Sequence, residues 1–173
     1  MNNEKSSLFQ SNAERLRALH AAIDETAKSR DKSTEHRKAW QTACDAMHAS
    51  YDSLAFPGGL NSQLTRLKDG NGEAVEMAVQ FLQYNPEFFR SGYIKEEVIR
   101  LLRRVVLTKD QEARLRQVVL DRIQGEDRRE FRRYCRLAAH LCNDELRSKV
   151  AALAKSRDRR IRRHANWVLD ALP

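Results

Sequence analysis

The chain has 173 residues, with 32 Lys+Arg against 24 Asp+Glu and a formal net charge of +8. No stretch approaches the ~20 apolar residues of a membrane-spanning helix. Only 6 Gly and 3 Pro stand beside abundant Arg, Ala, Leu and Glu, which argues for helix over strand.

A single α-helical domain over 1–173 with one continuous core is expected at this length. Residues 1–10 are polar and read as a frayed tail. Asn12 can cap a first helix to about Ser29, with Leu16, Leu19, Ile23 and Ala27 as its apolar stripe. Ser33 or Thr34 can cap a second helix to about Leu54, with the stripe Trp40, Cys44, Met47 and Tyr51. AFPGGL at 55–60 then stops the helix, and Gly58–Gly59 permits a sharp reversal. A short helix bearing Leu60, Leu64 and Leu67 follows, closed by a turn at Asp69-Gly70-Asn71-Gly72. These segments, 11–72, read as N-terminal helices that cap the rest.

From residue 73 the pattern is one of helical hairpins. Glu73–Tyr84 ends at Asn85-Pro86, and Phe88 and Phe89 fall at the hairpin bend. Tyr93–Val105 carries Ile94, Val98, Leu101 and Val105 at spacings of four, three and four. Thr108 with Gln111 is a capping-box signature, and Gly125 is a natural stop. Glu126/Asp127 is expected to start the next helix, with Phe131, Cys135, Ala138 and Cys142 on one face. Asn143 caps a helix bearing Leu146, Val150 and Leu153. The last helix repeats the rhythm thirty residues on, as Ile161, Ala165, Val168 and Leu172, and the arginine pair Arg132–Arg133 recurs as Arg162–Arg163. A helical unit recurring at this period points to stacked hairpins, three of them over 73–173.

The stretch D-x-x-I-R-R-x-A-x-x-V-L-x-A-L at Asp158–Leu172 resembles the second helix of a HEAT-type repeat. Asp158, Ile161, Arg162, Ala165 and Leu172 occupy the positions at which such repeats show an Asp, an apolar residue followed by Arg, a small residue and a closing Leu. The resemblance implies an all-α, curved solenoid that binds partners. The hairpin at Glu73–Val105 departs from it, with Lys95 and Glu96 where the arginine pair would stand. More loosely, YDSLAFPGGL, FFRSGY and RREFRRYCRLA resemble segments of small bacterial proteins without assigned function, and no functional residue carries over from them.

Charge is unevenly spread. Residues 1–89 hold 10 basic and 12 acidic groups, a net of −2, whereas residues 90–173 hold 22 and 12, a net of +10. Of those 22 basic residues 18 are Arg, which suits bidentate contact with carboxylate or phosphate. With Phe131 taken as the core direction, Arg129, Arg133, Arg136 and His140 point outward at about 100° per residue. Arg159, Arg163 and Asn166 do so relative to Ile161. Neighbouring helices would then pair Arg129/Arg159, Arg132/Arg162 and Arg133/Arg163 in a ladder. The candidate basic strip is therefore Arg129, Arg132, Arg133, Arg136, Arg159, Arg162 and Arg163, with Arg90, Tyr93 and His140 as secondary candidates. The competing reading pairs these arginines with Glu126, Asp127, Glu130, Asp158 and Asp170 as a solvated surface. Phe56 and the segment 90–93 are the exposed-loop candidates, but a structural role is expected for both, with the aromatics closing hairpin ends and Gly92 permitting close helix approach.

Other chemistries lack their signatures. Cys44/His48 and His140/Cys142 bring no second ligand pair, so no metal site is expected. Three cysteines cannot all pair within one chain and read as reduced core thiols. No G-x-S-x-G, P-loop, H-E-x-x-H or Rossmann glycine pattern occurs, and no cofactor is expected. MNNEKSSLFQSNAER has no signal-peptide core, so a cytoplasmic chain is expected. The expected function is non-enzymatic binding of an acidic partner, protein or polyanion, through the arginine-rich C-terminal half. The alternatives are nucleic-acid binding, including a HEAT-like glycosylase-type repair protein using Trp167 and Asp170, and an adaptor that self-associates through an end repeat.

Overall fold

The computed structural model describes residues 2–173, with side chains from Leu8 onward. The elements are α1 (Asn2–Ala27), α2 (Thr34–Ala55), α3 (Leu60–Lys68), α4 (Gly72–Tyr84), α5 (Ser91–Leu102), α6 (Lys109–Gln124), α7 (Phe131–His140), α8 (Asp144–Leu153) and α9 (Arg159–Leu169). No strand occurs among the described residues, and no helix among them is long and apolar enough to cross a membrane. The elements group into two compact units, Met1–Arg66 with Tyr84–Ser91, and Leu67–Gln83 with Gly92–Pro173.

In the first unit α1 packs on α2. Helix α1 starts ten residues before the expected cap, so residues 2–10 are helical rather than a frayed tail, and Asn12 is buried inside the helix; Met1 lies outside the described residues. The cause is Phe9. Its ring packs edge-on against Phe56, centroids 6.2 Å apart, and 5.6 Å from Tyr84, so an aromatic anchor rewards continuing the helix through a polar segment. Phe56 is accordingly buried, which suits its structural reading and not that of an exposed loop. Ser33 caps α2 by accepting from the His36 amide. Gly58 and Gly59, both at φ +85°, turn the chain into α3, and Asp52 accepts the Asn61 amide at 3.0 Å. The segment after α4 is tied to this unit by hydrogen bonds. Gln10 donates to the Tyr84 carbonyl, Arg17 to that of Glu87 at 2.7 Å, and the Tyr51 hydroxyl to that of Phe89 at 2.9 Å.

In the second unit α6 packs with α7 and α8 with α9, while α6 meets α8 and α7 meets α9. Polar contacts extend the series. Arg114 of α6 grips Glu76 of α4 with two nitrogens, the closer at 2.8 Å. Burial pushes the Glu76 carboxyl up, but bonds from Arg114, Gln111 and Gln80 outweigh it and leave it below the usual value. Arg133 of α7 reaches Glu96 of α5. Polar contacts thus join α4 to α6 and α5 to α7, and α6 also meets α9. Val75, Val79 and Leu82 of α4, Leu115, Val119 and Ile123 of α6, and Ala165 and Val168 of α9 are all buried. Helix α6 carries the expected Thr108/Gln111 capping box, Asn143 caps α8, and Asp158 caps α9 through the Arg160 and Ile161 amides.

Helix α7 begins at Phe131, a turn later than Glu126/Asp127 predicts. Its N-cap, Glu130, makes no side-chain capping bond. Instead its carboxylate lies 3.9 Å from the ammonium of Lys95, which is 1 % exposed. A Cβ on Gly92 would meet that carboxylate at 2.9 Å, so the close approach expected at Gly92 is made by α5 to the start of α7.

Candidate basic binding face

Residues 129, 132, 133 and 136 stand three and four apart and so share one side of α7 and its entry turn. Residues 159, 162 and 163 do the same on α9. Arg133 is half-buried and the other six arginines are exposed. Their charges are not equally available. Arg129 and Arg133 both reach the Glu96 carboxylate, at 3.2 and 3.4 Å, and Arg129 also lies over the Tyr93 ring, 3.7 Å from its centroid. Arg163 is bonded to Asp127. These three are committed to two acids of the same unit, Glu96 and Asp127, which stand 33–37 residues from them in sequence.

The remaining four are different. Arg132 lies over the Trp167 ring, 4.9 Å from the centroid, and Arg162 donates to the Ser156 carbonyl at 2.8 Å. Arg136 and Arg159 make no hydrogen bond or ion pair among the described residues. None of the four ion-pairs with a carboxylate among those residues. Trp167 also meets Arg163 at 5.4 Å, so Arg132 of α7 and Arg163 of α9 share one indole. Of the acids named as competitors, Asp127 does take Arg163, whereas Glu126 pairs with Arg128, Glu130 with Lys95, and Asp158 caps α9 and approaches Arg160. Asp170 forms the C-cap of α9.

Beneath the face sits His164, which is 0 % exposed. Its ring stacks on Phe131 with centroids 4.2 Å apart. Nδ1 lies 3.1 Å from the Ile123 carbonyl, and Nε2 contacts Asp127. Both partners are hydrogen-bond acceptors. Arg163 first, and then His164, hold the Asp127 carboxyl below its ordinary value. Asp127 therefore ties the α6–α7 turn to α9 and anchors the arginine that shares Trp167 with Arg132.

Of the secondary candidates, Tyr93 stands at the start of α5 under Arg129 and is 54 % exposed. His140 is exposed in the last turn of α7. Arg90 belongs to the first unit. Sequence reasoning named Tyr93 only as a secondary candidate and Trp167 only beside Asp170, neither as an aromatic member of the arginine cluster. Trp167 was signalled by its four-residue spacing from Arg163, whereas Tyr93 lies 36 residues from Arg129. Burial pushes the Cys135 thiol up to about 11, so it is an unreactive core thiol. No group of three or more His, Cys, Asp or Glu suited to a metal ion occurs among the described residues. Comparison with family models, with curated proteins and with solved structures returns no match to this chain.

Proposed function

We propose that the chain is a non-enzymatic binding protein whose last six helices act as a short HEAT-like solenoid and whose arginine face engages an acidic partner. The succession of α4, α6, α8 and of α5, α7, α9 supports the architectural part, because stacked hairpins place like helices side by side. One observation carries the functional part: Arg132, Arg136, Arg159 and Arg162 have no carboxylate partner among the described residues, while the arginines between them are already paired with Glu96 and Asp127. Guanidiniums in this state keep their donor forks for carboxylates or phosphates of another molecule. An acidic protein segment is the first reading. Nucleic acid is the second, favoured by Trp167 and Tyr93 among the arginines, which could add stacking to phosphate contacts.

The test is fluorescence anisotropy with a poly-glutamate peptide, single-stranded DNA and duplex DNA across a salt series. The combined variant Arg136→Glu, Arg159→Glu and Arg162→Glu should lose binding with helicity unchanged, because none of the three holds the fold through an acid. Peptide binding that tolerates salt supports the protein reading. A log–log salt slope of about −0.9 per phosphate on duplex DNA supports the nucleic-acid reading. Binding that survives in the variant removes this face as the site.

A further inference from the structure

The first unit contains a cavity of about 500 Å³ formed by α1, α2, the start of α3 and the segment that follows α4. Its volume falls in the range of small-molecule pockets, roughly 300–1,000 Å³. The apolar part of its wall is Ile23, Met47, Leu60 and Phe89. Phe89 is 47 % exposed, an unusual state for a phenylalanine next to a cavity, and its ring is held flat by stacking on His20 at 4.5 Å. The Tyr51 hydroxyl fixes the same residue from below by its bond to the Phe89 carbonyl.

The charged part of the wall is Arg90. Its backbone has φ +67°, a left-handed conformation that residues other than glycine enter only at a cost. Its guanidinium lies 5.6 Å from the centre of the Phe89 ring and ion-pairs with no carboxylate among the described residues. The wall also carries the Asp52 carboxylate, which accepts the Asn61 amide. The cavity thus combines an aromatic surface with a guanidinium that forms no ion pair among the described residues. A single guanidinium fork matches one carboxylate, whereas a doubly charged phosphate calls for more positive charge than this wall holds.

We propose that this cavity binds a small aromatic carboxylate, its ring against Phe89 and Met47 and its carboxylate on Arg90. The ligand is distinct from the acidic partner of the arginine face, and the residues involved lie in the other unit.

The probe is 1-naphthoate, with 1-naphthamide as its neutral counterpart, titrated into the full chain by calorimetry and by amide NMR. Naphthoate should bind saturably and shift the amides of His20, His48, Phe89 and Arg90. The amide should bind about tenfold more weakly, the loss of one charge-assisted contact. Arg90→Gly should weaken naphthoate by the same factor without unfolding the chain, because glycine adopts this φ freely. Phe89→Ala truncates a half-exposed ring and should also weaken it. The combined arginine-face variant should leave naphthoate affinity unchanged, which separates the two proposals. Absence of saturable binding overturns the inference, as do equal affinities for acid and amide, full affinity in Arg90→Gly, or shifts confined to α7 and α9.

Discussion

Helices α7 and α9 share an apolar rhythm and an arginine pair, and at the same step of that rhythm each buries a polar side chain. In α7 it is Tyr134, three residues after Phe131; in α9 it is His164, three residues after Ile161. Tyr134 is 1 % exposed, and its hydroxyl has no hydrogen-bond partner among the described residues. Burial raises its pKa, so it stays a neutral phenol. His164 uses both ring nitrogens, on Ile123 and Asp127. The helix starts differ as well. Asp158 caps α9 through two amides, whereas Glu130 leaves α7 uncapped and pairs with Lys95. Similar sequence patterns therefore place similar faces in the core, but the polar partners come from whichever neighbour the packing supplies.

The contrast makes energetic expectations that can break it. The largest is Lys95→Met. It leaves the Glu130 carboxylate buried without its cation, and unfolding in urea should show a loss of about 3–5 kcal/mol. A loss under a kilocalorie would mean that Glu130 reaches water and that α7 does not depend on the pair. Next is His164→Leu, which keeps most of the volume and removes both hydrogen bonds. A loss of about 2 kcal/mol is expected from the unsatisfied Ile123 carbonyl and the weakened hold on Asp127. The smallest is Tyr134→Phe, where an unpartnered hydroxyl is removed; stability should be unchanged or rise by about 0.5 kcal/mol. If Tyr134→Phe costs as much as His164→Leu, the phenol has a partner after all, and the difference between the two helices disappears.

These contrasts also mark what the amino-acid order makes legible. Caps are local, so Ser33, the Thr108/Gln111 box and Asn143 are readable from spacing alone, and so is the apolar stripe of each hairpin. The start of α1 is not, because Phe9 earns its place only through Phe56 and Tyr84, 47 and 75 residues away. The same limit governs the arginine face. All seven arginines are visible in the sequence, but which are spent is decided by Glu96 and Asp127 across helix contacts. Asp127 in particular reads as a helix start and serves as a tie to α9. The cavity of the first unit shows only Arg90 in advance, since its other walls come from separate helices.

The route of the chain through its two units has a consequence for dissection. The backbone passes from the first unit to the second after Arg66, returns at Tyr84 and leaves again after Ser91. Each of these crossings falls within a helix, α3, α4 or α5. Neither unit is therefore a continuous piece of polypeptide. A fragment ending near residue 68 would retain α1 and α2 but lack Phe89, Arg90 and the carbonyls that receive Arg17 and Tyr51. A fragment beginning at residue 92 would lack α4, and with it Glu76, the acid that Arg114 grips. The gene cannot be cut into two independent modules at one point, and any exchange of parts with another protein would have to move an inserted segment rather than an end.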